Sequence, residues 1–137
     1  MKCLDTTFLI DIVEQPEETR KVTERLEREH EVLATTTFNA YEALLGVHSI
    51  RDRDHSAKLL DLYSRALSRL VILPLSLEDA AKAAELGGEL RRRGQDIGAD
   101  SLTAATALRG GCDGIVTRNA SHFRRLEEAT GLAVIPY

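Results

Sequence analysis

Asp100 is the only charged residue in the run ADSLTAATAL over residues 99–108, where small and apolar side chains leave almost no polar face beyond Ser101, Thr103 and Thr106. A helix of that composition packs inside a domain, and an ionised carboxylate carried in with it is costly unless a cation, a metal or several hydrogen-bond donors meet it. Asp is also a favoured N-cap, and for Asp100 alone that is the simpler reading. A cap, however, predicts no other acids nearby.

Three further residues stand at comparable places. Asp5 follows the apolar start MKCL directly, Glu42 lies early in a helical segment within TTTFNAYEALLG, and Asn119 closes the apolar run in GIVTRNASHF. Each has an ordinary alternative: a cap for Asp5, an exposed first-turn acid favoured by the helix dipole for Glu42, a turn residue for Asn119. Glu42 has apolar neighbours on both sides, with only Asn39 to begin a polar face. In open α/β sheets functional groups gather beyond the carboxyl ends of the strands, and right-handed crossovers bring those ends to one edge. The acids are therefore expected to converge.

Three carboxylates and an amide at close quarters raise one another's pKa and need a counter-charge. Oxygen ligands alone favour Mg²⁺ or Mn²⁺ over Zn²⁺, and His30, His48, His55 and His122 show no HxxxH or HxH spacing. Such a site suits phosphodiester hydrolysis, because the cation lowers the pKa of a bound water and stabilises charge on the phosphate.

The elements that must position these groups alternate between short apolar runs and longer segments of helical period, the pattern of an α/β domain with a mainly parallel sheet of about five strands. Strands are predicted at Met1–Leu4, Glu31–Thr36, Val71–Leu73, Gly114–Thr117 and Leu132–Ile135. Helices are predicted at Thr7–Glu14, Glu17–His30, Phe38–Ser49, Ser56–Leu70, Leu77–Arg93, Asp100–Arg109 and Arg124–Thr130. In the fourth of these, Leu59, Leu60, Leu62, Tyr63, Ala66, Leu67 and Leu70 form a wide apolar stripe. Most of it reads as core; with Leu45, Val47 and Ile50, part of it reads as a self-association face.

The 137 residues fit one domain spanning 1–137, with a core large enough to need no staples. A net charge of -4 argues against adsorption to nucleic acid through bulk charge, so any such contact must come from local patches. Cys3 and Cys112 show no CxxC pairing and read as idle thiols. No apolar run reaches the length of a membrane span and no signal peptide is recognisable, which predicts a cytoplasmic protein.

With these residues in place the chain resembles the PIN domains, and specifically the VapC-like ribonuclease toxins of type II toxin-antitoxin systems. The resemblance runs over essentially the whole sequence through LDTTFLID, YEALLG, D-x-L-x-A-A-T-A-L and V-T-R-N-x-x-H-F. It implies a three-layer α/β/α PIN-like fold, with Asp5, Glu42 and Asp100 as acidic ligands of Mg²⁺ or Mn²⁺. Asn119 stands where many members carry a fourth Asp, which weakens the case for a second metal. Thr7 and Thr117 resemble the hydroxyls that orient the carboxylates. The implied protein is an endoribonuclease toxin that cleaves RNA and stops translation, forms a homodimer, and is neutralised by a small VapB-like antitoxin whose tail wraps its helices. The alternatives are a PIN nuclease of RNA maturation without an antitoxin and a catalytically silent PIN-like binding module.

Asp96 competes with Asp100 for the ligand role, and Asp113 reads as a turn residue at the wrong end of the sheet. Among cations, Arg118 is expected to point near the metal and contact RNA; Arg91, Arg92 and Arg93 are further candidates for RNA contact and read equally well as a solvated helix end. Such contacts would position a backbone without reading its sequence. His122 and Phe123 are candidates to stack on a base, Phe123 reading more readily as core.

Overall fold

The computed structural model describes every residue from Met1 to Tyr137. Five strands, β1 (Lys2–Leu4), β2 (Leu33–Thr36), β3 (Val71–Leu73), β4 (Gly114–Thr117) and β5 (Ala133–Pro136), form one sheet in the order β3-β2-β1-β4-β5. Every neighbouring pair is parallel, so the sheet is entirely rather than mainly parallel, and all strands end at the same edge. Eight helices join them: α1 (Thr6–Glu14), α2 (Pro16–Arg28), α3 (Thr37–His48), α4 (Arg53–Leu67), α5 (Leu77–Arg92), α6 (Asp100–Arg109), α7 (Ala120–Arg124) and α8 (Glu127–Thr130).

Alternation along the central strands sorts the helices into two layers. Cys3 and Ile115 point to one face, where Leu86 and Leu90 of α5, Ala104 and Ala107 of α6, and Phe123 of α7 complete the largest core cluster. Leu4 and Val116 point to the other face, against Phe8 of α1 and Leu26 of α2. Farther out, Leu9, Ala43, Val47, Leu59 and Tyr63 join α1, α3 and α4. The result is a three-layer α/β/α domain. Covering both faces explains why neighbouring residues of the central strands, Cys3 and Leu4 in β1 and Ile115 and Val116 in β4, are both apolar instead of alternating with polar ones.

Local chemistry moves several boundaries from their predicted places. The Asp52 carboxylate accepts from the amides of Asp54 and His55 and starts α4 at Arg53, before the predicted Ser56. His30 takes a left-handed backbone (φ 53°) and the Glu31 amide bonds back to Leu26, which ends α2 at Arg28 and shortens β2 to begin at Leu33. The predicted helix Arg124–Thr130 is two short ones instead. Phe123 and Leu126 are both buried, and the Leu126 amide closes a tight turn onto the Phe123 carbonyl between them. Leu132 goes into the core rather than into β5, which runs from Ala133. No helix is long and apolar enough to cross a membrane.

The apolar stripe of α4 divides as its width suggests. Leu59 and Tyr63 are buried, Leu62 is 46% exposed, and Leu45 and Tyr41 on α3 stand 51% and 59% exposed. Val47, by contrast, is core.

Candidate active site

Asp5 leaves β1 with an extended backbone and caps α1, so its alternative reading is correct as far as it goes. The cap uses only one of its hydrogen bonds. Oδ1 accepts from the Phe8 amide at 3.0 Å and from the Thr7 hydroxyl at 2.7 Å, while Oδ2 accepts from the Thr117 hydroxyl at 2.6 Å. Thr117 is the last residue of β4, paired directly beside β1. Burial pushes the Asp5 carboxyl up; the three donors pull it back, the Asp100 charge adds to the rise, and the net shift is upward.

Glu42 sits on α3 with Oε1 accepting from the Thr6 hydroxyl at 2.5 Å. Thr6 is the first residue of α1, so Glu42 is tied to the segment that carries Asp5. The Asn39 amide donates to Thr6 and to Thr103 of α6, each at 2.9 Å, and its carbonyl oxygen accepts from Thr36 at 2.6 Å. Asn39 therefore does not begin a polar surface: it is buried, and its side chain joins α1, α3 and α6. Only a residue with two donors and two acceptor sites on one flat group can do this. The sequence signal for it was weak, since an Asn on an apolar helix becomes informative only once Thr6 and Thr103 are known to face it.

Asp100 is the first residue of α6, and no side-chain bond caps that helix. Its capping reading fails. Instead Oδ2 lies 2.7 Å from His122 Nδ1 on α7, and the Asp100 side chain is one quarter exposed. His122 is thus engaged with a site acid rather than free to stack on a base, and Phe123 is core. Asn119 is exposed; its amide donates to the Thr117 hydroxyl at 2.8 Å, and its side chain makes no capping bond.

Asp5, Glu42 and Asp100 are thus presented at the carboxyl edge by β1, α3 and α6. They do not close on a common point: no group of three His, Cys, Asp or Glu side chains is drawn tightly enough to hold one ion. In kind the donors still fit a hard divalent cation. Glu42 Oε2 and Asp100 Oδ1 make no hydrogen bond within the chain, and Asp5 Oδ2 makes only one.

The competing groups are accounted for elsewhere. The Asp96 carboxylate takes the Gly98 amide and Arg91. Asp113 pairs with Lys2 at 2.8 Å, at the opposite edge of the sheet. Arg92 and Arg93 pair with Glu89, leaving Arg91, Arg92 and Arg93 as an exposed, ion-paired helix end. Arg118 does not point at the acids. Its guanidinium pairs with the buried carboxylate of Asp11 on α1, which also accepts from the Tyr137 hydroxyl at 2.6 Å. The backbone amide of Arg118 nevertheless reaches the site, donating to Thr7 Oγ1 at 2.9 Å.

Fold and site together define a parallel α/β/α domain that presents acids from three elements at the carboxyl edge of its sheet. The chain belongs to the PIN domain family, whose model matches residues 2–129. PIN domains are generally nucleases. In fold the chain resembles a chain of VapBC2 from Rickettsia felis bound to a DNA fragment from their promoter (TM-score 0.79, 23% identity, 99% of this chain and 98% of that one). It also resembles a chain of DNA-bound VapBC from Salmonella typhimurium (0.79, 22%, 98% and 96%). A third likeness is to VapBC-5 from Mycobacterium tuberculosis, of the VapBC family of toxin-antitoxin systems (0.73, 22%, 99% and 98%). No curated protein matches the sequence.

Proposed function

We propose that this protein is a Mg²⁺- or Mn²⁺-dependent endoribonuclease and the toxin of a type II toxin-antitoxin pair. The observation that carries the reading is the bracing of Asp5. Three donors from α1 and β4 fix a buried carboxylate, and Oδ2 accepts only one of them, which leaves it acceptor capacity for a ligand. Asp5, Glu42 and Asp100 are the residues that would hold the cation, which when bound supplies a lowered pKa to water and charge stabilisation to the phosphate.

The chain's own work is positional. Thr7 and Thr117 hold Asp5, Thr6 holds Glu42, and Asn39 joins α1, α3 and α6 next to them. In this reading Asn119, exposed beside Thr117, would complete the set of oxygen ligands or orient the attacking water. In this reading Arg91, Arg92 and Arg93, exposed at the end of α5, meet an RNA backbone without reading its bases.

A VapB-like antitoxin is the expected partner, since the similar folds come from VapBC complexes. An open, largely apolar groove between α2 and α4, lined by Ile12, Val13, Leu33, Leu62 and Leu70, offers a surface for its tail. The exposed Tyr41 and Leu45 suit a homodimer contact. Induced expression without a partner tests the toxin reading: growth should stop, Asp5→Asn and Asp100→Asn should abolish the arrest, and a short open reading frame adjoining the gene should relieve it when co-expressed. Undisturbed growth, or arrest by the Asp100→Asn variant, contradicts it.

A further inference from the structure

A short acid at the start of a helix ordinarily turns back onto a free amide. Asp100 does not, and its one hydrogen bond within the chain is the 2.7 Å contact between Oδ2 and His122 Nδ1. A carboxylate only accepts, so the proton of this bond sits on Nδ1, and Asp100 thereby fixes the tautomer of the ring. The other acids are held differently: Asp5 by three donors, Glu42 by Thr6. Asp100 relies on His122 alone.

The donor is itself held firmly. Phe123, the next residue, is buried in the main core, as is Leu126, and Arg125 Nη1 donates to the Gln95 carbonyl at 3.1 Å, tying α7 to the loop before α6. His122 therefore reaches Asp100 from a helix pinned on its inner side, across 22 residues of sequence. Without that bond the carboxylate, one quarter exposed, has no hydrogen-bond donor in the chain to hold it in one rotamer.

We propose that His122 is a positioning residue for Asp100, holding one carboxylate oxygen through Nδ1–H so that the other is presented to the divalent cation. This rests on the metal-dependent reading above. Partners that orient a ligating carboxylate typically change metal affinity by about 10–100-fold when removed.

The test is Mn²⁺ binding itself, read by the electron paramagnetic resonance signal of free Mn²⁺ during titration of the wild type, His122→Ala and His122→Asn. Thermal melting of each metal-free protein accompanies the titrations. Asn places an N–H near the position of Nδ1, so it should restore most of the affinity that Ala loses. The expected result is at least about a tenfold weaker dissociation constant for His122→Ala, near wild-type binding for His122→Asn, and unchanged melting of all three. A wild type that binds no Mn²⁺ removes the metal reading and this role with it. A wild type that binds, beside a His122→Ala variant that binds as well or better, overturns the positioning role alone. So does a His122→Asn variant as weak as His122→Ala.

Discussion

Thr117 donates its hydroxyl to Oδ2 of Asp5 at 2.6 Å, so that the neighbouring strands β1 and β4 are joined at their ends through a buried carboxylate. The bond is the only one that Oδ2 accepts. Oδ1 is taken by Thr7 and the Phe8 amide, and only Oδ2 retains acceptor capacity.

Thr117→Val keeps the shape of the side chain and removes the donor. The Asp5 carboxyl should move further up, since a hydrogen bond that favours its ionised form is gone. Stability should fall by about 1 kcal/mol, and nuclease activity at neutral pH by about tenfold or more. A carboxyl-carbon NMR titration of Asp5 reads the first effect directly; an unmoved titration would mean that Thr117 does not bear on the charge of Asp5.

Asp5 also shapes stability against pH. Its carboxyl is raised on folding, chiefly by burial, so the folded state holds the proton more tightly and stability declines as pH climbs from the ordinary value of 3.8 through the raised one. Asp5→Asn should flatten that stretch of the urea-denaturation profile. A bound divalent cation should offset the penalty in the wild type, by about 2.7 kcal/mol at a hundred times its dissociation constant, and should do nothing for the variant.

The ion pair of Asp79 and Arg109 predicts the opposite sign. Burial alone would raise the Asp79 carboxyl, but the Arg109 guanidinium at 2.6 and 3.0 Å, with the Ser76 amide, holds it below the usual range. Its contribution is complete above the unfolded value and disappears as pH falls through the lowered one. Arg109→Ala should cost about 2 kcal/mol at neutral pH, less than a fully buried pair because the guanidinium is about one third open to water. The difference from wild type should shrink in acid.

Arg118 and the Arg91–Arg93 cluster should separate cleanly. Arg118→Ala leaves the buried Asp11 carboxylate with Tyr137 as its remaining partner and should destabilise the fold by about 1–3 kcal/mol. Alanine at Arg91, Arg92 or Arg93 should change stability by less than about 0.5 kcal/mol and act instead on RNA affinity. Chemical denaturation and RNA-binding titrations of the same four variants check both halves.

The helices and strands were legible because their period is local. The apolar pairs Cys3-Leu4 of β1 and Ile115-Val116 of β4 and the 3.6-residue stripe of α4 can be read from neighbours alone, and the strand ends then put Asp5, Glu42, Asp100 and Asn119 at one edge. What was not legible depends on pairs far apart in the chain. Arg118 neighbours Asn119 in sequence, yet its guanidinium goes to Asp11, 107 residues away, because a buried carboxylate on α1 needs a cation and the edge acids do not capture it. His122 reads as a surface aromatic until α7 is folded against α6. Asn39 looked like the start of a solvated face because nothing local announces that Thr6 and Thr103 will face it. The break within Arg124–Thr130 has the same origin, since Phe123 and Leu126 enter one core.

Cleavage of a mixed-sequence RNA by the purified, partner-free protein, with Mg²⁺, with Mn²⁺ and with EDTA, beside Asp100→Asn, bears most directly on the proposed activity. The expected outcome is internal cleavage with either cation, none with EDTA, and a loss of at least about a hundredfold in the variant. Cleavage that persists in EDTA, or an Asp100→Asn protein as active as the wild type, would contradict a metal-dependent nuclease built on these acids.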